Sequence, residues 1–154
     1  MGAVIRSDEF KHKYVSSKVK NWIDDLRQLA EIAVEEPQAA LSAYTKCISH
    51  RWTYIQRTIP KIKHLFIPLE DCIRNSLIPS LIGRQVSDIE RKILSLPVRF
   101  GGLGIADPSE TADREYNASK RVTVNLTNLI LQQQQDISLY DSEATAAIVK
   151  HINK

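Results

Sequence analysis

The sequence predicts an all-α fold, five to six helices in one irregular domain with a glycine-rich loop. Three observations predict it. Apolar residues recur at steps of three and four, helix-starting signals precede each recurrence, and no alternating strand of useful length occurs. The chain has 154 residues, enough for one domain with an ordinary core. Apolar residues make up 43% and charged residues 25%, the balance of a globular protein.

Residues 1–6 read as the remnant of a preceding strand, with a β-prone Ala3-Val4-Ile5. Ser7 then sits as an N-cap, with Asp8 and Glu9 where the helix dipole favours acids. A first helix is predicted over 8–34, its stripe Val15, Val19, Trp22, Leu26, Leu29 and Ala33. That stripe reads either as a packed face or as a coiled-coil seam of under three heptads. Pro37 suits a first helical position, because its missing N–H has no helical partner there. A second helix is predicted over 37–58, with Leu41, Tyr44, Ile48, Trp52, Ile55 and Ile59 on one face and Pro60 at its end.

Residues 61–82 read as helical with an interruption at Pro68 and a bend at Pro79. Leu69, Ile73, Leu77 and Leu81 form the stripe, and Gly83 closes it. Ser87-Asp88-Ile89-Glu90 is a capping box opening a short helix to about Ser95. The irregular stretch 94–105 holds three of the five glycines. Asp107-Pro108 starts a long helix over 108–132, with Ala112, Tyr116, Ser119, Leu126 and Ile130 on one face. The helical domain is predicted to span 7–135. Residues 136–154 read as a weakly ordered tail, or a short helix near 141–151.

The chemistry is sparse. Asp8-Glu9, Asp24-Asp25, Glu35-Glu36 and Glu70-Asp71 are sequence neighbours on helices. Such neighbours point about 100° apart and do not converge on one Mg²⁺. No nucleophile–base order and no phosphate-cradling glycine loop stands out. Cys47 and Cys72 lack a second ligand at zinc spacing and read as small buried residues, so no cofactor and no metal are expected. No apolar run nears the ~18 residues of a membrane span, and no secretory signal is visible. The expectation is an intracellular protein, nuclear or cytoplasmic, without a membrane partner.

The net charge is only +3, so a nucleic-acid partner must be argued from local clustering. Residues 37–69 contain no acid, yet carry Lys46, His50, Arg51, Arg57, Lys61, Lys63 and His64. On the second helix Lys46, His50 and Arg57 fall within about 40° of one another, away from the apolar stripe. Such a face could track a phosphate backbone, or it could be a solvated face that lacks acids. Trp52 reads as core, and Tyr54 as either core or a base-stacking ring.

The ordered set Gly2-Ala3-Val4-Ile5, Trp22, Pro37-Gln38-Ala39-Ala40, His50-Arg51-Trp52-Thr53-Tyr54, Arg57-Thr58-Ile59-Pro60, Pro68-Leu69-Glu70-Asp71-Cys72-Ile73-Arg74 and Leu96-Pro97-Val98-Arg99-Phe100-Gly101-Gly102-Leu103-Gly104 carries a resemblance. Over most of residues 2–120 it resembles the segment after the palm of reverse transcriptases encoded by non-LTR retroelements. The resemblance implies a thumb-like helical region, an upstream palm as a missing partner, and an RNA–DNA hybrid or other nucleic-acid backbone as ligand. It also implies that the polymerase carboxylates lie upstream of this chain, in a truncated or fragmentary gene, so this segment is not expected to be an enzyme. Pro97, Arg99, Gly101, Gly102 and Gly104 would form a structural turn docking two helices, with Arg99 near the nucleic-acid backbone. The other function carried forward is a helical protein-interaction module, using the Val15-to-Ala33 stripe or an apolar face bared by loss of the palm.

Overall fold

A computed structural model describes residues 7–131, and their regular elements are all helical, with no strand among them. The strand remnant expected at 1–6, the 132–135 tract and the tail at 136–154 lie outside the described residues. Helix α1 (Asp8–Glu35) is the spine. All six residues of its predicted stripe are buried, with Val15, Leu26 and Ala33 sealed completely. The stripe is therefore spent on the domain's own core, which removes both the coiled-coil seam and its use as an interaction face. Ser7 occupies the N-cap position, but its hydroxyl makes no capping bond.

The second predicted helix is not continuous. Helix α2 (Pro37–Lys46) ends at Cys47, a 3-10 turn follows at Ile48–His50, and α3 (Thr53–Thr58) restarts the path. The stretch 45–50 is built from residues of modest helix propensity. The Thr45 hydroxyl donates to the Leu41 carbonyl and the Ser49 hydroxyl to the Thr45 carbonyl, back-bonds that bend helices. Packing supplies the reward. Tyr44 and Trp52 would lie about 80° apart on a regular helix. The break lets both rings bury together, 6.4 Å between centroids, with Trp22 at 5.8 Å from Trp52 and stacked on Phe66 at 6.3 Å.

After a 3-10 turn at Lys63–Phe66, α4 (Ile67–Cys72) runs without interruption into a π-turn (Ile73–Leu77) and α5 (Ile78–Ile82). Pro68 starts this helix rather than breaking it, because it lies in the first turn. Pro79 is absorbed differently. A proline inside a helix clashes with the carbonyl four residues earlier. Here the turn before it widens, and the Ile78 N–H reaches back five residues to the Ile73 carbonyl. Leu69, Ile73 and Leu77 are buried as their spacing predicts, and Gly83 ends the helix at φ +74°.

Helix α6 (Asp88–Ser95) opens with the predicted capping box, both reciprocal bonds being formed. Its polarity is inverted. Arg91 faces the core, while Ile89, Ile93 and the following Leu96 are exposed. A 3-10 turn at Val98–Phe100 then leads into the glycines. Gly101 (φ +82°) and Gly104 (φ +70°) reverse the chain, and Gly102 lies against the Leu96 carbonyl. The loop folds back on α6: Leu103 and Ile105 both donate N–H to the Leu94 carbonyl, and Gly104 donates to that of Leu96. The returning chain buries Ile105 in the core.

Helix α7 (Pro108–Leu131) starts at the predicted cap, where Asp107 Oδ1 accepts the N–H groups of Ser109 and Glu110. It packs against α3, the Lys63–Phe66 turn and α4. Ala112 is buried and Tyr116 half-buried, but Ile130 on the same predicted face is exposed; the side chain of Leu126 is not among those described. Helix α1 packs against α2, α4 and α5, so the core is a layer of aromatic and branched residues between α1 and the rest.

Candidate nucleic-acid interface

Every predicted contact residue is exposed, but the helix break redistributes them. Lys46 is the last residue of α2, His50 lies in the 3-10 turn and Arg57 on α3. The single basic face within 40° therefore does not form, because α2 and α3 are not one helix. The two arginines are engaged. Arg51 bonds Asp25 of α1, and Arg57 Nε donates to Glu115 of α7 at 2.9 Å. Both pairs are solvent-exposed and hold the α3 segment to its neighbours more than they stabilise the fold.

Lys46, His50, Lys61 and Lys63 have no carboxylate partner among the described residues. Lys61 is also held at φ +58°, the sole non-glycine residue with positive φ among those described. A β-carbon in that region is strained, and such strain marks positions worth testing for function. Lys61 and Lys63 lie in the turn between α3 and α4, where Ile59, Ile62 and Phe66 anchor the chain inward.

His50 reaches a groove of about 240 Å³ between α2, α3 and α7, whose wall includes Tyr44, Trp52, Gln56, Arg114 and Glu115. Arg114 is a cation that the sequence reading did not single out, because it lies 64 positions along the chain from His50. Lys46, Arg51, Lys61 and Lys63 do not line this groove. Trp52 is buried and cannot stack on a base, whereas Tyr54 is exposed.

The buried polar residues had little warning in the sequence. Arg91 forms a bidentate pair with Glu70 (2.6 and 2.7 Å) and donates from Nη1 to the Ile105 carbonyl at 2.7 Å. Burial pushes the Glu70 carboxyl above its ordinary range, against the pull of the Arg91 guanidinium. Gln56 Nε2 donates to the Pro108 carbonyl at 2.8 Å, tying α3 to the start of α7. The Tyr44 hydroxyl is buried without a hydrogen-bond partner among the described residues, and burial raises its pKa. The one available signal was Arg91 between Ile89 and Ile93, which breaks the inward apolar pattern of a packed helix.

Cys72 is buried as expected, but Cys47 is exposed because it sits at the α2 break. Four of the eight adjacent carboxylates pair with separate cations: Asp8 with Lys11, Asp24 with Arg27, Asp25 with Arg51 and Glu70 with Arg91. No group of three or more His, Cys, Asp or Glu among the described residues could hold a metal ion. No described helix is long and apolar enough to cross a membrane.

In the motif, Arg99 lies on its neighbour Phe100, guanidinium carbon 4.8 Å from the ring centroid. Pro97 starts the 3-10 turn, and its carbonyl accepts from Phe100 and Gly102. Comparison with family models, with curated proteins and with solved structures finds no match to the chain.

Proposed function

We propose that this chain is a noncatalytic, thumb-like helical region of a retroelement-type reverse transcriptase, gripping the backbone of an RNA–DNA hybrid or a related nucleic acid. One observation carries the reading: the acid-free interval 37–69 leaves Lys46, His50, Lys61 and Lys63 exposed and without carboxylate partners among the described residues. Lysines that are exposed and hold no carboxylate among the described residues are available to phosphates, and phosphate contacts supply sequence-independent affinity. Arg51 and Arg57 would join only by exchanging Asp25 and Glu115 for phosphate. The motif around Gly101, Gly102 and Gly104 is structural in this reading. The palm carboxylates would belong to an upstream partner, and the work would be intracellular, in nucleus or cytoplasm.

Hybrid binding measured against salt tests it. Log affinity should fall with log salt by about 0.7–0.9 per phosphate contact. The triple reversal Lys46→Glu, Lys61→Glu and Lys63→Glu should flatten that slope by about 2–3. Reversal at Lys92 and Lys120, exposed on α6 and α7, should leave it nearly unchanged. Equal losses from both sets, or no binding at low salt, would refute the reading.

A protein-interaction module is the second reading, favoured by a different surface. Ile89 (73% exposed), Ile93, Leu96, Val98 (76%) and Phe100 (62%) form an outward apolar run on α6 and the turn after it. Exposed clusters of this kind mark contact surfaces. Under this reading Ile93→Ser and Phe100→Ser would abolish association, and the salt experiment would show no hybrid binding.

A further inference from the structure

We propose that His12 and His64 form a two-histidine site for a divalent transition-metal cation such as Zn²⁺ or Ni²⁺. The two Nε2 atoms stand 2.5 Å apart, although His12 lies on α1 and His64 in the 3-10 turn before α4, 52 residues away. The ring centroids are 4.7 Å apart with planes tilted by 33°, so the two Nε2 atoms face each other nearly end to end. Both side chains are exposed.

With one ring protonated at Nε2 and the other bare there, the two nitrogens share a hydrogen bond, and a metal cation can take the place of that proton once both rings present a lone pair. Imidazole is a preferred ligand of zinc, copper and nickel in its neutral form. Zinc–nitrogen bonds of about 2.0–2.1 Å in a tetrahedron set the two nitrogens about 3.3 Å apart. Reaching that separation requires the rings to part by under ~1 Å, a small adjustment for exposed side chains with staggered alternatives. Among the described residues no third His, Cys, Asp or Glu completes the set, so water would fill the remaining positions. The ion would staple the turn carrying Lys61 and Lys63 to α1.

The test uses the whole chain in a Cys47→Ser background, which removes the exposed thiol as a competing ligand. Zn²⁺ and Ni²⁺ are titrated by calorimetry and by thermal melting, with a chelator as reversal. One equivalent should bind, and at a free metal concentration 100 times Kd the folded-to-unfolded ratio should rise about 100-fold. His12→Ala and His64→Ala should each weaken binding at least tenfold, while the metal-free melting temperature stays within a few degrees. In the unsubstituted chain, Zn²⁺ should shift the ring resonances of two of the four histidines. No binding at 1 mM metal would overturn the site and leave a proton shared between the rings. Unchanged affinity in either variant, or shifts confined to His50 or His151, would also overturn it. Because hybrid binding plays no part in these readouts, the site and the nucleic-acid reading can fail separately.

Discussion

Replacing Gly102 with alanine tests the glycine loop at its tightest point. A β-carbon there would lie 2.0 Å from the Leu96 carbonyl oxygen and 2.7 Å from that of Ile93, both backbone atoms that cannot swing aside. Ordinary contact begins at 3.4 Å, so the loop must retreat by about 1.4 Å. That retreat breaks the bonds from Leu103 and Ile105 to Leu94 and from Gly104 to Leu96, now 3.2, 3.1 and 2.9 Å. At a net ~0.5–1.5 kcal/mol each, their loss costs about 3 kcal/mol. Gly101 and Gly104 differ: each has open space at its β-carbon and only a positive φ, so alanine there should cost about 1–2 kcal/mol. Urea denaturation of the three variants should therefore rank Gly102→Ala as the most destabilised. Its melting temperature should fall by about 6–12 °C, at roughly 2–4 °C per kcal/mol for a chain of this size. A Gly102→Ala protein that unfolds with the parent, or at higher urea than Gly101→Ala, would refute the close-approach argument.

Other outcomes follow from the buried polar groups and the capping box. Arg91→Met alone should destabilise by about 3–5 kcal/mol, because Glu70 is left buried without its partner. The double variant Arg91→Met with Glu70→Leu should recover most of that loss, and equal damage from single and double variants would mean the pair itself holds α6 in place. Tyr44→Phe removes a hydroxyl with no partner among the described residues and should be neutral or stabilising by about 1 kcal/mol; a loss above that would reveal a bond. Glu90 is held down at about 2 by the Arg84 guanidinium and by the Ser87 N–H and hydroxyl. A depressed carboxylate favours the fold above the unfolded-state value near ~4.3, and that contribution disappears as pH falls towards about 2. Acid titration of stability should accordingly be shallower in Glu90→Gln over that window. An unchanged acid limb would place the sensitivity elsewhere.

The sequence by itself determined the fold class and most helix starts. These depend on local chemistry: the Val15-to-Ala33 spacing, Pro37 and Pro108 at first helical positions, the Ser87/Glu90 box and Gly83 at the helix end each act within a turn or two. The glycine motif was legible for the same reason, since positive φ and close approach both demand glycine whatever surrounds it. The acid-free interval was equally plain as composition. Only the tertiary structure decided where the cations of that interval point. The break at Cys47 lets Tyr44 pack on Trp52 while Trp52 packs on Trp22, a partner on α1 that cannot be read from residues 44–52 alone. It also turned Arg51 and Arg57 towards Asp25 and Glu115, partners 26 and 58 positions away. The inward Arg91, the outward Ile89 and Ile93, and the meeting of His12 with His64 have the same origin. Side-chain periodicity records which face of a helix is apolar, and the packing of distant elements determines which face is covered.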